Sequence, residues 1–179
     1  DRVLARMRPY FSREFHPPAS PYAPAVQVRR EYEAAKEILA QAIGGKGNDM
    51  TITAGATESI NLIFAACNGH VVTSSIEHHA VLEAAKLHEH ALVAPNEKGM
   101  VSAESVKKAI TSTTELVSIQ LANNELGTIQ PLRDIAEVVR AERARRALAG
   151  DPRPIYCHSD ASQGLGQIDV HASRLGVDA

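Results

Sequence analysis

Residues 71–93 read VVTSSIEHHAVLEAAKLHEHALV. Val71-Val72-Thr73 is a short apolar, β-prone run, Ser74 to His79 is polar, and an Ala-rich segment continues with helical composition to about His90. Ala91-Leu92-Val93 is then β-prone again. Strand, helix and strand joined by short polar links form the pattern of neighbouring strands with a helix crossing between them.

The alternation continues in both directions. Downstream, Asn96-Glu97-Lys98-Gly99 turns the chain, and the Ser102 hydroxyl is placed to accept from the first amides of a helix through Ile110. Leu116–Leu121 reads as a buried strand that ends at Asn123-Asn124-Glu125. Pro131 suits the first turn of a helix lined by Leu132, Ile135, Val138 and Val139. Arg140, Arg143, Arg145 and Arg146 read as its solvated end, where cations also suit the helix dipole. Ile155-Tyr156-Cys157-His158 is a further strand, with Asp160 just past it.

Upstream, Met50-Thr51-Ile52-Thr53 is β-prone and leads through Ala54-Gly55-Ala56-Thr57 into a helix to about Cys67 that carries Ile60, Ile63 and Phe64. Residues 2–11 form a short helix with Val3, Leu4 and Met7 on one face. A second helix runs from about Ala25 to Ile43, with Val28, Tyr32, Ala35, Leu39 and Ala42 at helical spacing and Gly44-Gly45 as its stop. The proline-dense run His16-Pro17-Pro18-Ala19-Ser20-Pro21 between them is a loop. The expectation is an α/β fold whose mostly parallel sheet is flanked by helices.

Composition narrows the function classes. A chain of 179 residues, 44% hydrophobic, suits one domain with a sizeable core. Its 19 Lys+Arg against 21 Asp+Glu lack the basic footprint of a general nucleic-acid binder. No window approaches the roughly eighteen uninterrupted apolar residues of a membrane span. Cys67 and Cys157 make no disulfide framework and favour a reducing compartment, so the cytoplasm is expected, with a mitochondrial address left open. The sequence starts at Asp1 and stops inside an apparent structural unit, so a piece of a longer chain is expected.

Parallel α/β sheets bind ligands outside the carboxyl ends of their strands. Four candidate strands end in polar clusters there: Gly55-Ala56-Thr57, Glu77-His78-His79, Asn123-Asn124 and Ser159-Asp160. Small residues opening a helix at Ala54-Gly55-Ala56-Thr57 let an anion reach the free amides, or else Thr57 is an ordinary N-cap. No Gly-Lys-Ser/Thr follows, so this is not a P-loop, and no Gly-x-Gly-x-x-Gly turn marks a nucleotide-binding module. His78 and His79 can stack on a flat ligand, move protons or, with His158 and Asp160, bind a metal; the bland reading is two surface loop histidines. Asp160 ends a buried strand and needs a partner: a cationic ring nitrogen, an arginine or a helix N-terminus. Gln163 reaches the same ligand if the chain turns into a helix there, and Asn123 and Asn124 either cap locally or donate to a ligand.

Four segments taken together, TAGATESINL (53–62), SSIEHHAVLE (74–83), LVSIQLANNELGTIQP (116–131) and HSDASQGLGQIDV (158–170), resemble the cysteine desulfurase and selenocysteine lyase family within the class V aminotransferase group. Their order and spacing agree from about Val3 to Asp178, and four motifs in register are specific where one alone is not. The resemblance implies the large domain of a fold-type I enzyme with pyridoxal 5'-phosphate as cofactor, incomplete at both ends over residues 1–179 and without its small C-terminal domain. It implies that Ala56 and Thr57 hold the phosphate, that His78 stacks on the ring and takes part in proton transfer, that Asn124 and Gln163 bond the phenolic oxygen, and that Asp160 pairs with the ring nitrogen. The implied reaction removes sulfur or selenium from L-cysteine or L-selenocysteine and leaves alanine, in a homodimer that passes the atom to an acceptor protein. Another class V lyase or transaminase, or a non-catalytic scaffold, remains the alternative.

Three departures stand out. The six lysines, Lys36, Lys46, Lys86, Lys98, Lys107 and Lys108, all precede the last motif, so the lysine that carries the cofactor is expected beyond Ala179 and the fragment itself is expected to be inactive. Neither cysteine aligns with the family's sulfur-accepting residue, and both read as buried apolar-like side chains. His16-Pro17-Pro18-Ala19-Ser20 replaces the family's Asn-Pro-Ser-Ser pattern near the substrate entrance, which bears on substrate choice. Ser20-Pro21-Tyr22, the Leu-Ala-Asn-Asn-Glu stretch and the long arginine-rich connection lean toward the selenocysteine lyase branch.

Overall fold

The computed structural model describes residues 1–179 and divides into two compact units, Asp1–Thr51 and Ile52–Ala179. In the first, α1 (Arg2–Ser12) and α2 (Ala23–Ala42) are followed by a 3-10 turn, Gly47–Asp49. The Tyr10 hydroxyl donates to Glu31, joining the two helices. Both helices form as their spacing predicts, and Gly44, at φ 73°, turns the chain where a side chain would be strained. The apolar face of α1 is exposed, with Val3 at 72% and Phe11 at 72%.

The second unit holds a four-stranded sheet, β1 (His70–Ser74), β2 (His90–Val93), β3 (Thr114–Ser118) and β4 (Tyr156–His158), in the order β2-β1-β3-β4. Every pairing is parallel. Helices α3 (Ala56–Ala65), α4 (His79–Ala85), α5 (Ala103–Ala109), α6 (Leu132–Leu148) and α7 (Ala172–Leu175) connect and flank the strands. Paired Val71 and Leu116 pack with Ile60 and Phe64 of α3 and Val81, Ala84 and Ala85 of α4. Val72 and Val117, next in each strand, project to the opposite face. Helices α5 and α6 pack on each other, and α6 buries Leu132, Ile135, Ala136 and Val139. The expected parallel α/β sheet with flanking helices is what forms.

Four local expectations are corrected. Residues 50–53 are extended but pair with no strand: Thr51 and Ile52 are exposed, and Thr53 Oγ1 bonds Ser59 Oγ at 2.7 Å instead. A β-prone run without a partner ladder has nowhere to place its backbone groups. Helix α4 stops at Ala85 rather than near His90, tightening through Leu87 N–H to Ala84 O (3.2 Å) and His88 N–H to Ala85 O (3.0 Å) before β2. Strand β3 starts earlier and ends at Ser118, because the Gln120 N–H turns to the Glu77 carboxylate. Arg146 is not solvated. It is 1% exposed, and its guanidinium donates to Glu142 (2.8 Å), Pro154 O (3.0 Å) and Thr111 O (3.2 Å).

Candidate active site

The sheet order places a switch point between β1 and β3, since the chain crosses from β1 to β2 on one side and returns to β3 on the other. Leaving β1, the chain reaches His78, the N-cap of α4, whose Nδ1 accepts from the Ala80 N–H at 3.1 Å. An imidazole nitrogen that accepts an amide hydrogen bond carries no proton, so the neutral ring carries its hydrogen on Nε2. His79, the first residue of α4, is exposed and stands 3.7 Å from Glu83.

Beyond β3, the Ile119 N–H donates to His158 O (3.1 Å) and the Leu121 N–H to Asp160 O (2.9 Å). These bonds continue the β3–β4 ladder past both strand ends and hold Asp160 beside the 119–122 segment. Asp160 Oδ1 accepts from the Ser162 N–H at 2.9 Å, which turns the chain and brings Gln163 round. Gln163 reaches the same cavity as Asp160 through this turn and not through a helix. The turn lies close on the sheet because residue 164 is glycine: a Cβ there would meet Leu121 Cδ2 at 2.7 Å. Asn123 and Asn124 divide their roles. Asn123 is buried, donates to Ile76 O (2.8 Å) and accepts from the Glu125 and Leu126 amides, whereas Asn124 is exposed.

At α3 the N-cap is Gly55, not Thr57, and no side chain caps the first turn. Glu58 instead reaches back to the N–H of Ala54, the residue before the N-cap, at 2.6 Å. The first amides of α3 are thus left without a side-chain acceptor at the positive end of a ten-residue helix, the arrangement that draws an anion. The space above Gly55 is open, since a Cβ there would meet nothing within 4 Å.

These segments converge on one cavity of about 120 Å³ lined by Ala56, Thr57, His78, Asn124, Asp160 and Gln163, the six residues singled out from the sequence. Gln120, Ala122 and Ser162 line it as well. For Gln120 and Ala122 the signal lay in the alternation of the chain beyond β3, which puts 120 and 122 on one face; Ser162 is brought in by the turn after Asp160. None of the six lysines lines it. No three His, Cys, Asp or Glu side chains are arranged to hold a metal ion. A larger groove, about 730 Å³, lies between α5 and α6, but it is walled by helix side chains such as Lys107, Asp134 and Glu137 and meets no strand end.

Burial sets the electrostatics beside the cavity. Glu77, 6% exposed, has its carboxyl pushed up to about 7 by burial, against the pull of the Ser74 hydroxyl and Gln120 amide, with the Asp160 charge adding to the push. Burial lowers His158 to about 4, although the Asp160 charge opposes it; its Nδ1 lies 2.9 Å from Ser118 Oγ. Both cysteines are free and buried as expected, with burial pushing the Cys157 thiol up to about 12 and the Cys67 thiol upward. Thiols held protonated in this way are poor nucleophiles.

Known proteins share this arrangement of chain. The chain is 35% identical to cysteine desulfurase IscS 1 of Archaeoglobus fulgidus, the match taking in 99% of the chain and 47% of that protein. It is 31% identical to cysteine desulfurase IscS of Clostridium botulinum over 98% of the chain and 45% of that protein. It therefore spans about half the length of the curated relatives it matches. Among solved structures, one described as SspA in complex with cysteine superposes with a TM-score of 0.87 at 32% identity, covering 99% of the chain and 52% of SspA. A NifS-like protein superposes at 0.86 with 31% identity, covering 99% and 50%. The model of the aminotransferase class-V family matches residues 1–179, end to end, and with the parallel sheet and its strand-end cleft this establishes that the chain belongs to the class-V aminotransferase family.

Proposed function

We propose that this chain carries the pyridoxal 5'-phosphate seat of an enzyme that removes sulfur from L-cysteine and leaves alanine. One observation carries the reading: an uncapped helix N-terminus, an imidazole and a carboxylate line the same cavity at the carboxyl ends of parallel strands. These groups suit the three chemically distinct parts of that cofactor. When bound, pyridoxal phosphate supplies an electron sink through which a bond at the amino-acid α-carbon can break heterolytically. The Ala56 and Thr57 amides and the Thr57 hydroxyl hold the phosphate. Asp160 holds a proton on the ring nitrogen through a charge-assisted hydrogen bond. Asn124 and Gln163 bond the phenolic oxygen. His78 lies against the ring face, and its Nε2 is the nitrogen through which it exchanges a proton.

The relatives' names support cysteine as the substrate rather than selenocysteine, and the superposed SspA is described with cysteine bound. The reading includes a homodimer and a sulfur-accepting protein, and it gives this chain the noncovalent contacts to the cofactor. The test is a titration of the full-length protein with pyridoxal phosphate, followed by absorption, and then turnover of L-cysteine and L-selenocysteine with alanine measured. Tight binding with alanine formed from cysteine is expected. A keto acid in place of alanine would shift the assignment to a transaminase. Binding without turnover would favour a scaffold, and no binding would overturn the reading.

A further inference from the structure

Glu77 precedes His78, does not line the cofactor cavity, and is the one carboxylate among the buried residues. Its placement has a cost, since burial opposes its charge. What it gains is a pair of donors from two different strand exits. Oε1 accepts from Ser74 Oγ at 2.5 Å, at the end of β1, and both carboxylate oxygens accept from the Gln120 N–H at 3.1 Å, beyond β3. Next to it, Ile76 O accepts from Gln120 Nε2 (2.6 Å) and Asn123 Nδ2 (2.8 Å). The loop after β1 and the segment after β3 are therefore sewn together, and these two stretches supply His78 on one side and Gln120, Ala122 and Asn124 on the other.

We propose that Glu77 is a positioning residue, whose carboxylate holds the Gln120 backbone to the exit of β1 and so sets the gap between the His78 imidazole and the Gln120–Asn124 wall into which a flat ring fits. Ordinary strand pairing cannot do this, because the ladder between β1 and β3 ends at Thr73 and Ser118. The Gln120 N–H needs an acceptor at a point where no strand offers one, and a side chain from the histidine-bearing loop provides it. An apolar residue at 77 would leave that buried amide unpaired and free the loop to shift.

The inference rests on the pyridoxal phosphate reading, and the two can fail separately. The full-length protein and its Glu77→Ala and Glu77→Gln variants are compared by the dissociation constant for pyridoxal phosphate, the visible circular dichroism of the bound cofactor and the thermal midpoint. Glu77→Ala should weaken binding by about tenfold or more and flatten the dichroic band. Glu77→Gln should stay within about threefold, because its amide oxygen still accepts from Gln120 and its NH2 donates to Ser74 Oγ. A folded Glu77→Ala protein with a lowered thermal midpoint but unchanged affinity and dichroism would overturn the proposal, leaving Glu77 a stabilising residue only. A Glu77→Gln variant as weak as Glu77→Ala would also contradict it. Should Glu77→Ala not fold, Ser74→Ala removes one arm of the clasp while Gln120 stays bonded. It should weaken binding about threefold to tenfold, and an unchanged constant would overturn the proposal. Failure of the unsubstituted protein to bind pyridoxal phosphate would instead sink the functional reading.

Discussion

His158 and Glu77 are buried near the same cleft, yet they move stability in opposite directions with pH. His158 has a folded value of about 4 against 6.5 for the free side chain, so its contribution is fully present above pH 6.5 and is lost as pH falls toward 4. The full swing is on the order of 3 kcal/mol. Glu77 stands at about 7 when folded against 4.5 when free, so its contribution is present below pH 4.5 and is lost as pH rises to 7. The two slopes largely offset one another between pH 4.5 and 6.5. In His158→Gln, which keeps a hydrogen-bonding group for Ser118, the Glu77 slope is no longer offset by His158, and stability should fall relative to the unsubstituted protein as pH rises through that window. Urea midpoints at several pH values check this, and parallel curves for the two proteins would contradict it. For Asp160→Asn, loss of the charged partner should weaken pyridoxal phosphate binding about tenfold to a hundredfold, as read by absorption titration. The place of Asp160 just past an apolar strand, on the cavity wall, was legible in the sequence. The protonation behaviour of Glu77 and His158 was not, because it depends on how deeply other elements bury them.

The elements were legible where periodicity and caps agreed. Ser102 caps α5 as read, accepting from the Ser105 N–H at 3.0 Å, and Ser102→Ala should cost about 1 kcal/mol in a denaturation curve without changing cofactor affinity. Residues 50–53 misled because strand propensity is satisfied only by a partner strand, which a local reading cannot see. Arg146 was hidden differently. It extends the buried stripe of α6, Leu132, Ile135 and Val139 at helical spacing, but the run of arginines points to charge instead of period. Removing its guanidinium in Arg146→Ala should destabilise the fold by about 3 kcal/mol in chemical denaturation, since the Pro154 carbonyl loses its donor and Glu142 and the Thr111 carbonyl each lose one of theirs. At α3 stability and binding can be separated. Thr57→Glu puts a carboxylate in the first turn, which suits the helix dipole but repels a phosphate. The thermal midpoint should hold or rise while pyridoxal phosphate affinity drops by about tenfold or more.

For the molecule, sheet order explains why the cleft lies where it does. With β1 and β3 adjacent and the connections leaving to opposite sides, their carboxyl ends open onto a crevice, and the extensions of β3 and β4 bring Asn124 and Asp160 to its rim. The six cleft residues come from four separate segments of sequence, so no single motif could show that they line one cavity. The central claim is that this crevice seats pyridoxal phosphate in one orientation, and a crystal structure of the full-length protein with that cofactor tests it most directly. The phosphate should lie at the Ala56 and Thr57 amides, the ring against His78 and the ring nitrogen toward Asp160. A cofactor seated elsewhere, or lying in the crevice with its ring nitrogen turned away from Asp160, would contradict the account.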